Sequence, residues 1–150
     1  ANFEASPQVL NNAAELHGVV RTAHGTVELA SGDSDDNDIV MLAPIPSNAA
    51  VPSLFIGSDT LGGSCTFNVG IYTSAGVVKD EDVFATLVAD AAGMADVRFE
   101  AANIDTAGKK MWELAGDSSD PGGYYYVAAT MAADGQTAGT MSWNISYVVN

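Results

Sequence analysis

Basic residues and cysteine are scarce in this sequence. Its 150 residues include 5 lysines and arginines against 19 aspartates and glutamates, a formal net charge of −14. Charge of this sign repels phosphate backbones and anionic membranes, so neither nucleic acid nor membrane is an expected partner. The single cysteine, Cys65, cannot form an internal disulfide, and it borders an apolar run. We predict that it is a buried small side chain.

Long hydrophobic runs and export signals are missing as well. No apolar run approaches the roughly 20 residues that cross a bilayer, and the first residues show no charged-then-apolar signal segment. The expectation is synthesis in a cytoplasm without export. Apolar residues make up 47% of the chain. At this length, one domain can bury roughly 70% of its unfolded surface without metals or disulfides.

Recognisable catalytic and cofactor motifs are absent. The two histidines, His17 and His24, are seven positions apart and have only one cysteine to join them, too few ligands for a zinc site. There is no G-x-S-x-G nucleophile elbow. The glycine pairs have no phosphate-loop lysine beside them. We therefore expect no cofactor and no enzymatic activity.

What the sequence does contain is a succession of short apolar runs separated by Pro, Ser, Asn, Asp and Gly, residues that end strands. Three runs lie between Asp36 and Gly76: Ile39–Ala43, Val51–Ile56 and Phe67–Tyr72. Two longer strands are predicted in GYYYVAATM and AGTMSWNISYVV, with the Ala133-Asp134-Gly135 turn as a hairpin between them. In the last strand, alternation places four side chains on one face: Met141, Trp143, Ile145 and Tyr147.

Other segments carry weaker patterns. A hairpin is predicted around Ala23-His24-Gly25, and KDEDVFATLVADAA has apolar residues at helical spacing, so a helix of one or two turns competes there with a loop. DVRFEAANI alternates like a half-buried strand, and KKMWELA is a further strand candidate. Eight or nine short strands with little helix predict an all-β fold, a β-sandwich or jelly-roll-like domain with at most one short helix. We assign residues 1–30 to an N-terminal arm and leading hairpin, and residues 31–150 to the sandwich.

Two clusters are candidate sites. Asp33, Asp35, Asp36 and Asp38 could offer oxygen ligands to calcium, although the loop lacks the glycine and glutamate of an EF-hand. The alternatives are a solvated acidic loop, or one that faces basic residues of a partner. The second cluster is Tyr124-Tyr125-Tyr126, where alternation separates the middle ring from the other two. One face packs in the core, and we take Tyr125 as the candidate exposed contact residue.

Several turns and strands follow one another in a recognisable order. An acidic lead-in and an apolar strand, Asp38–Leu42, precede a proline-centred turn, Ile45–Ala49, and an S-D-x-L-G-G turn, Ser58–Gly63. A V-G-[ILY]-Y strand, Val69–Tyr72, and a D-x-[DN]-x-F segment, Asp80–Phe84, come next, followed by Ala138-Gly139-Thr140 and a Val-Val end. This order resembles the capsid decoration (cement or head-stabilisation) proteins of tailed bacteriophages. The match covers about residues 36–150, and its motifs are turns and core positions.

The resemblance implies a non-enzymatic virion protein on the outer capsid surface, made in the host bacterial cytoplasm. Its implied partners are the major capsid protein and further copies of itself, with a homotrimer favoured. Residues 1–30 carry three acids and one base in an otherwise acidic chain. We therefore predict that they contribute to docking, with these contact candidates: Phe3, Val9, Leu10, Leu16 and Arg21. The alternative function is a carbohydrate- or receptor-binding module of a phage fibre, with Tyr125, Trp112 or Trp143 as a stacking platform.

Overall fold

The structure is a computed structural model that describes residues 18–90, 93–100 and 104–149. It contains two four-stranded antiparallel sheets. In chain order the strands are β1 (Val20–Leu29), β2 (Ile39–Pro46), β3 (Ala49–Ser58), β4 (Thr66–Thr73), β5 (Val78–Ala89), β6 (Ala95–Asp96), β7 (Tyr124–Met131) and β8 (Gly139–Val149). Most of the predicted N-terminal arm, residues 1–17, lies outside the described residues.

The strand order identifies the architecture. Sheet A has the order β1-β8-β3-β6, and sheet B has the order β2-β7-β4-β5. The first strand therefore pairs with the last, the second with the seventh, the third with the sixth and the fourth with the fifth. Such nested antiparallel pairing over two sheets is the jelly-roll arrangement. The predicted all-β sandwich is confirmed.

Strands β2, β3, β4, β7 and β8 coincide with the predicted apolar runs. In β8, Met141 and Ile145 are completely buried while Asn144 is exposed, as alternation predicted. The inward side chains of both sheets form one core, which also contains Phe67, Phe84 and Leu54. Burial of this apolar area is the main favourable contribution to folding. Cys65 is a buried free cysteine, as predicted, and burial raises the pKa of its thiol.

The predicted hairpin at Ala23-His24-Gly25 is wrong, because β1 runs straight through these residues and pairs with β8 over its whole length. Packing explains why a glycine stands in mid-strand. A Cβ on Gly25 would lie 2.6 Å from the indole ring of Trp143. The glycine therefore makes room for the tryptophan that faces it and does not mark a turn.

The predicted helix in KDEDVFATLVADAA is also wrong, since these residues lie mainly in strand β5. The ladder between β4 and β5 has three register shifts, and Leu87 has a φ of 50°. Bulges of this kind reverse the side chains that follow them. They explain how Phe84, Ala85 and Val88 are buried from one strand at a spacing that imitates a helix.

The connection from β6 to β7 differs from its prediction too. Among the described residues of DVRFEAANI only Asp96 lies in a strand, as the second residue of β6, and Val97–Glu100 forms a 3-10 turn. KKMWELA contains the short helix α1 (Met111–Leu114), which buries Met111 and Leu114. The turn at Ala133-Asp134-Gly135 is not a hairpin, because β7 belongs to sheet B and β8 to sheet A. No helix in the described part of the chain is long and apolar enough to span a membrane.

Candidate interaction surfaces

The two ends of the sandwich differ in charge. The acidic end consists of the loops β1–β2, β3–β4, β5–β6 and β7–β8. These loops contain no lysine or arginine, and they carry seven carboxylates: Asp33, Asp35, Asp36, Asp38, Asp59, Asp90 and Asp134. The opposite end contains the first residues of β1, β3 and β5. All five basic residues of the chain lie toward it.

Three observations place the basic residues. Arg21 and Lys79 are the second residues of β1 and β5. Lys110, which follows Lys109, forms an isolated bridge with the second residue of β3. The Nε of Arg98 donates a 3.1 Å hydrogen bond to the carbonyl of the third residue of β3. One end of the sandwich therefore carries carboxylates alone, whereas the other carries the basic residues together with carboxylates such as Asp80, Glu81 and Asp117.

Two of the predicted calcium ligands in the β1–β2 loop, Asp33 and Asp38, form hydrogen bonds with backbone N–H groups of the same loop. The Asp33 carboxylate accepts the Ala30 N–H at 2.9 Å, and the Asp38 carboxylate accepts the Asp35 N–H at 3.0 Å. The Asp36 N–H donates a 2.7 Å hydrogen bond to the carboxylate of Asp134. Within the described residues no three His, Cys, Asp or Glu side chains are grouped so that they could hold a metal ion. The structure therefore does not bring the four predicted ligands together as a coordination set.

The prediction that Tyr125 is exposed is wrong. Its ring is only 4% exposed and belongs to the core, and its hydroxyl donates a hydrogen bond to Asp117. The alternation itself is correct, with the choice of face reversed. Tyr124 is 44% exposed, and its ring meets that of Tyr126 edge to face with 5.5 Å between centroids. Tyr124 is therefore the aromatic contact residue that this strand offers.

A pocket of about 400 Å³ opens beside Tyr124 at the opposite end. Its other lining residues are mainly polar: Thr73, Ser74, Lys79, Asp117, Ser118, Ser119, Pro121, Gly122 and Tyr125. Lys79 lies 2.7 Å from Asp117. The hydrogen bonds from Lys79 and from the Tyr125 hydroxyl hold the pKa of Asp117 below its usual value, whereas burial and this carboxylate raise the pKa of Tyr125.

We expect Asp117→Asn to destabilise the protein at neutral pH and to have much less effect in acid. A carboxylate whose pKa is lowered by folding contributes stability above its unfolded value of 3.8, and this stability is lost as the pH falls through the folded-state pKa. In thermal melts, the difference in melting temperature between wild type and variant should become smaller below about pH 4. A difference that stays constant with pH would contradict the role of the carboxylate. Tyr125→Phe, which removes only the hydroxyl, is the matched control.

The outer face of sheet A carries few charges. Its outward side chains include those that alternate with the buried ones: Thr22, His24, Thr26 and Glu28 in β1, Phe55 in β3, Thr140, Ser142, Asn144 and Ser146 in β8, and Asp96 in β6, which pairs with Phe55. Two of these ten are carboxylates. The hydroxyls of Thr26 and Ser142 are hydrogen-bonded at 2.9 Å. In a chain of charge −14 this polar face has few carboxylates and no lysine or arginine among these ten side chains, so it can approach another surface without separating ion pairs.

The outer face of sheet B is partly covered by its own edge strand. A Cβ on Gly70 in β4 would lie 2.1 Å from the carbonyl oxygen of Asp80, so β5 crosses directly over this glycine. Beside the crossing, a shallow groove of about 280 Å³ is lined in part by Ile39, Tyr72 and Val78. Tyr72 is buried at its base and is hydrogen-bonded to Thr130.

The predicted capsid-contact residues are only partly described. Phe3, Val9, Leu10 and Leu16 lie outside the described residues. Arg21 is exposed near the start of β1, which is an edge strand of sheet A. The weakly charged face of sheet A was not predicted. Alternation in β8 already indicated Ser142, Asn144 and Ser146 on one face, but the neighbouring strands that complete the surface required the sheet order.

Comparison with known proteins gives one informative similarity. No protein-family model and no curated protein sequence matches the chain. A chain in the solved structure described as "Cyanophage Pam1 capsid asymmetric unit" is similar to this one, with a TM-score of 0.55 and 14% sequence identity. The similarity covers 100% of this chain and 99% of that chain. The two chains share a fold.

Proposed function

We propose that this protein is a non-enzymatic structural virion protein that binds the outer capsid surface and stabilises the head by bridging major capsid subunits. The observation that carries the proposal is the end-to-end similarity in fold to a chain of a phage capsid asymmetric unit. The turn and strand motifs between residues 36 and 150 support the same class from sequence.

The surface chemistry fits this role. A protein on the outside of a capsid lies away from packaged DNA, where a net charge of −14 is tolerated. The outer face of sheet A offers mainly hydroxyl and amide groups, a composition suited to contact with a polar protein surface. Residues 1–17 precede β1, which is at the edge of this sheet. We propose that they and the neighbouring face contact the capsid together.

Self-association would strengthen such binding. Several copies that each bridge neighbouring capsid subunits gain avidity even when single contacts are weak. The family resemblance implies a homotrimer, and a trimer could place three arms on one capsid site. The proposed partners are therefore the major capsid protein and further copies of this chain, at the virion surface.

The test is binding to capsids that lack this protein. The purified chain should co-sediment with them at a fixed stoichiometry, and deletion of residues 1–15 should reduce occupancy at least about tenfold through loss of one part of a multivalent contact. Asp35→Asn, at the acidic end, is a control that should bind normally. Absence of co-sedimentation by the full chain would contradict the function. Undiminished occupancy after the deletion would contradict the role of the arm.

A carbohydrate-binding module is the second candidate, and the pocket beside Tyr124 is the observation that favours it. Tyr125 and Trp143 are buried and cannot serve as stacking platforms. Tyr124 is exposed beside hydroxyl side chains, the combination that sugars bind. Binding on a glycan array that is lost in Tyr124→Ala, together with no retention on capsids, would favour this function over the first.

A further inference from the structure

A groove lies on the outer face of sheet A, close to the acidic end of the sandwich. Gly57 in β3 and Ser142 in β8, which pair across the ladder, form part of its floor. Gly93 and Met94 of the β5–β6 loop form a wall, because a Cβ on Gly57 would lie 2.7 Å from the carbonyl oxygen of Gly93 and 2.9 Å from the Cα of Met94. Asp59 lines it where β3 has ended. We call this the Gly57 groove.

The lining of the Gly57 groove combines an apolar wall with one fixed carboxylate. Met94 is 52% exposed and offers its thioether side chain. Asp59 is held by two hydrogen bonds to Thr140: its N–H donates to the Thr140 carbonyl at 2.9 Å, and its Oδ2 accepts the Thr140 N–H at 3.1 Å. Among the described residues no lysine or arginine forms a salt bridge with this carboxylate, and its Oδ1 accepts no hydrogen bond. The groove therefore presents a negative charge that the chain itself does not neutralise.

Size and chemistry together indicate an arginine side chain as the ligand. The groove has a volume of about 220 Å³. At the ~30 Å³ that one water takes in the liquid, this space holds roughly seven non-hydrogen atoms, the number in an arginine side chain. An aliphatic stem suits the thioether wall, and a guanidinium can bind a carboxylate and neighbouring hydroxyls at once. A metal ion does not fit, because within the described residues no three acidic, histidine or cysteine side chains are grouped around one point.

Charge also indicates which molecule supplies the arginine. The ten outward side chains named for the outer face of sheet A include carboxylates and no lysine or arginine, so the positive charge must come from the partner. A second copy is a poor source, because it has 19 acidic residues against 5 basic ones, and one of its two arginines, Arg98, is completely buried. Approach of a second copy would mainly bring like charges together, which costs affinity.

We propose that the Gly57 groove binds an arginine side chain of the major capsid protein, with its stem against Met94 and its guanidinium on the Asp59 carboxylate. This inference rests on the proposed function and names a contact within it. Phe55, the outward residue of β3 next to Gly57, is 39% exposed and offers an aromatic contact beside the groove. An aromatic residue and a methionine surrounded by hydroxyl groups match the composition of a protein interface.

Binding to capsids that lack this protein tests the contact. Asp59→Asn removes the charge and keeps an oxygen that accepts the Thr140 N–H, so the variant should fold normally. We expect it to bind capsids at least about tenfold more weakly, through loss of a charge-assisted hydrogen bond. The matched control is Asp35→Asn, which makes the same change in the β1–β2 loop, outside the groove, and should bind as wild type does.

A titration without capsids tests the groove separately from the proposed function. The probe is N-acetyl-arginine amide, added to the full chain while the NMR signals of the protein are recorded. The amide signals of Gly57 and Gly93 and the methyl signal of Met94 should shift in wild type and in Asp35→Asn, and not in Asp59→Asn. N-acetyl-glutamine amide, which has no charge, should leave these signals in place. Gly32, in the acidic β1–β2 loop, reports any general attraction of the cation to this end.

Three results would overturn the proposal. The first is a folded Asp59→Asn variant that binds capsids as tightly as Asp35→Asn does. The second is a probe that shifts Gly32 as much as Gly57, because the groove would then have no preference for arginine. The third is loss of self-association in Asp59→Asn with undiminished capsid binding, which would make a second copy the occupant. If wild type shows the arginine shifts but does not co-sediment with capsids, the proposed function and the capsid as partner both fail, while the arginine site itself stands.

Discussion

Replacing Gly70 with alanine should destabilise this protein by about 3 kcal/mol, the upper part of the range for overpacking a core. Gly70 is a buried position in β4, beneath the place where β5 crosses the outer face of sheet B. An added Cβ would lie 2.1 Å from the carbonyl oxygen of Asp80 and 2.2 Å from the carbonyl carbon of Glu81. Both are backbone atoms, so no side-chain rotation can relieve the overlap.

The matched control is Gly32→Ala. A Cβ added to Gly32 would have no heavy atom within 4 Å, and neither glycine has a left-handed φ. This variant should change stability by no more than about 0.5 kcal/mol. Thermal and urea unfolding should therefore separate the two variants clearly, with Gly70→Ala melting about 6–12 °C lower than wild type. Equal melting temperatures would show that the Asp80–Glu81 segment does not pack on β4 in solution.

The contact at Gly70 also shows what sequence patterns could and could not predict. Alternation and turn residues located β2, β3, β4, β7 and β8, because each of these strands buries one face against a single core. They failed in β5, where Ala85 and Val88 are both buried although they are three residues apart, because a bulge changes the register between them. The bulges lie in the ladder between β5 and β4. A pattern within β5 alone does not reveal how β4 is placed beside it.

Two other errors have the same physical origin. Gly25 suggested a turn, yet it is needed because Trp143, more than a hundred residues away, packs on it. The three tyrosines of β7 alternate as predicted, but whether Tyr124 or Tyr125 faces inward depends on where the other sheet lies. In each case the local sequence determined the spacing of the residues. Packing against distant parts of the chain determined whether the glycine marked a turn and which tyrosine faced the core. The candidate surfaces were harder to predict, since a face or an edge requires the order of strands.

Arg98→Ala should destabilise the protein by about 3–5 kcal/mol, the cost of breaking a buried polar contact and opening a cavity. Arg98 is completely buried, and its guanidinium lies 4.9 Å from the centre of the Phe84 ring. Its Nε donates to the Val51 carbonyl, while Nη1 has no hydrogen-bond partner among the described residues. Burial lowers the pKa of this side chain, an effect that Asp96 partly offsets.

Arg98→Met distinguishes the contribution of the side-chain volume of Arg98 to stability from that of its charge. Methionine fills much of the space of the arginine stem and contacts aromatic rings favourably, and it removes the cost of desolvating a cation. It removes the hydrogen bond to the Val51 carbonyl and the longer one, 3.5 Å, from Nη2 to the Thr106 hydroxyl, and we expect a loss of no more than about 1.5 kcal/mol. The free energies of unfolding of wild type, Arg98→Ala and Arg98→Met, measured by chemical denaturation, test both expectations. If methionine proves as costly as alanine, the hydrogen bond and the cation–π contact stabilise the fold by more than the charge costs. If both variants are near wild type, the segment that carries Arg98 is not docked against β3 and β5.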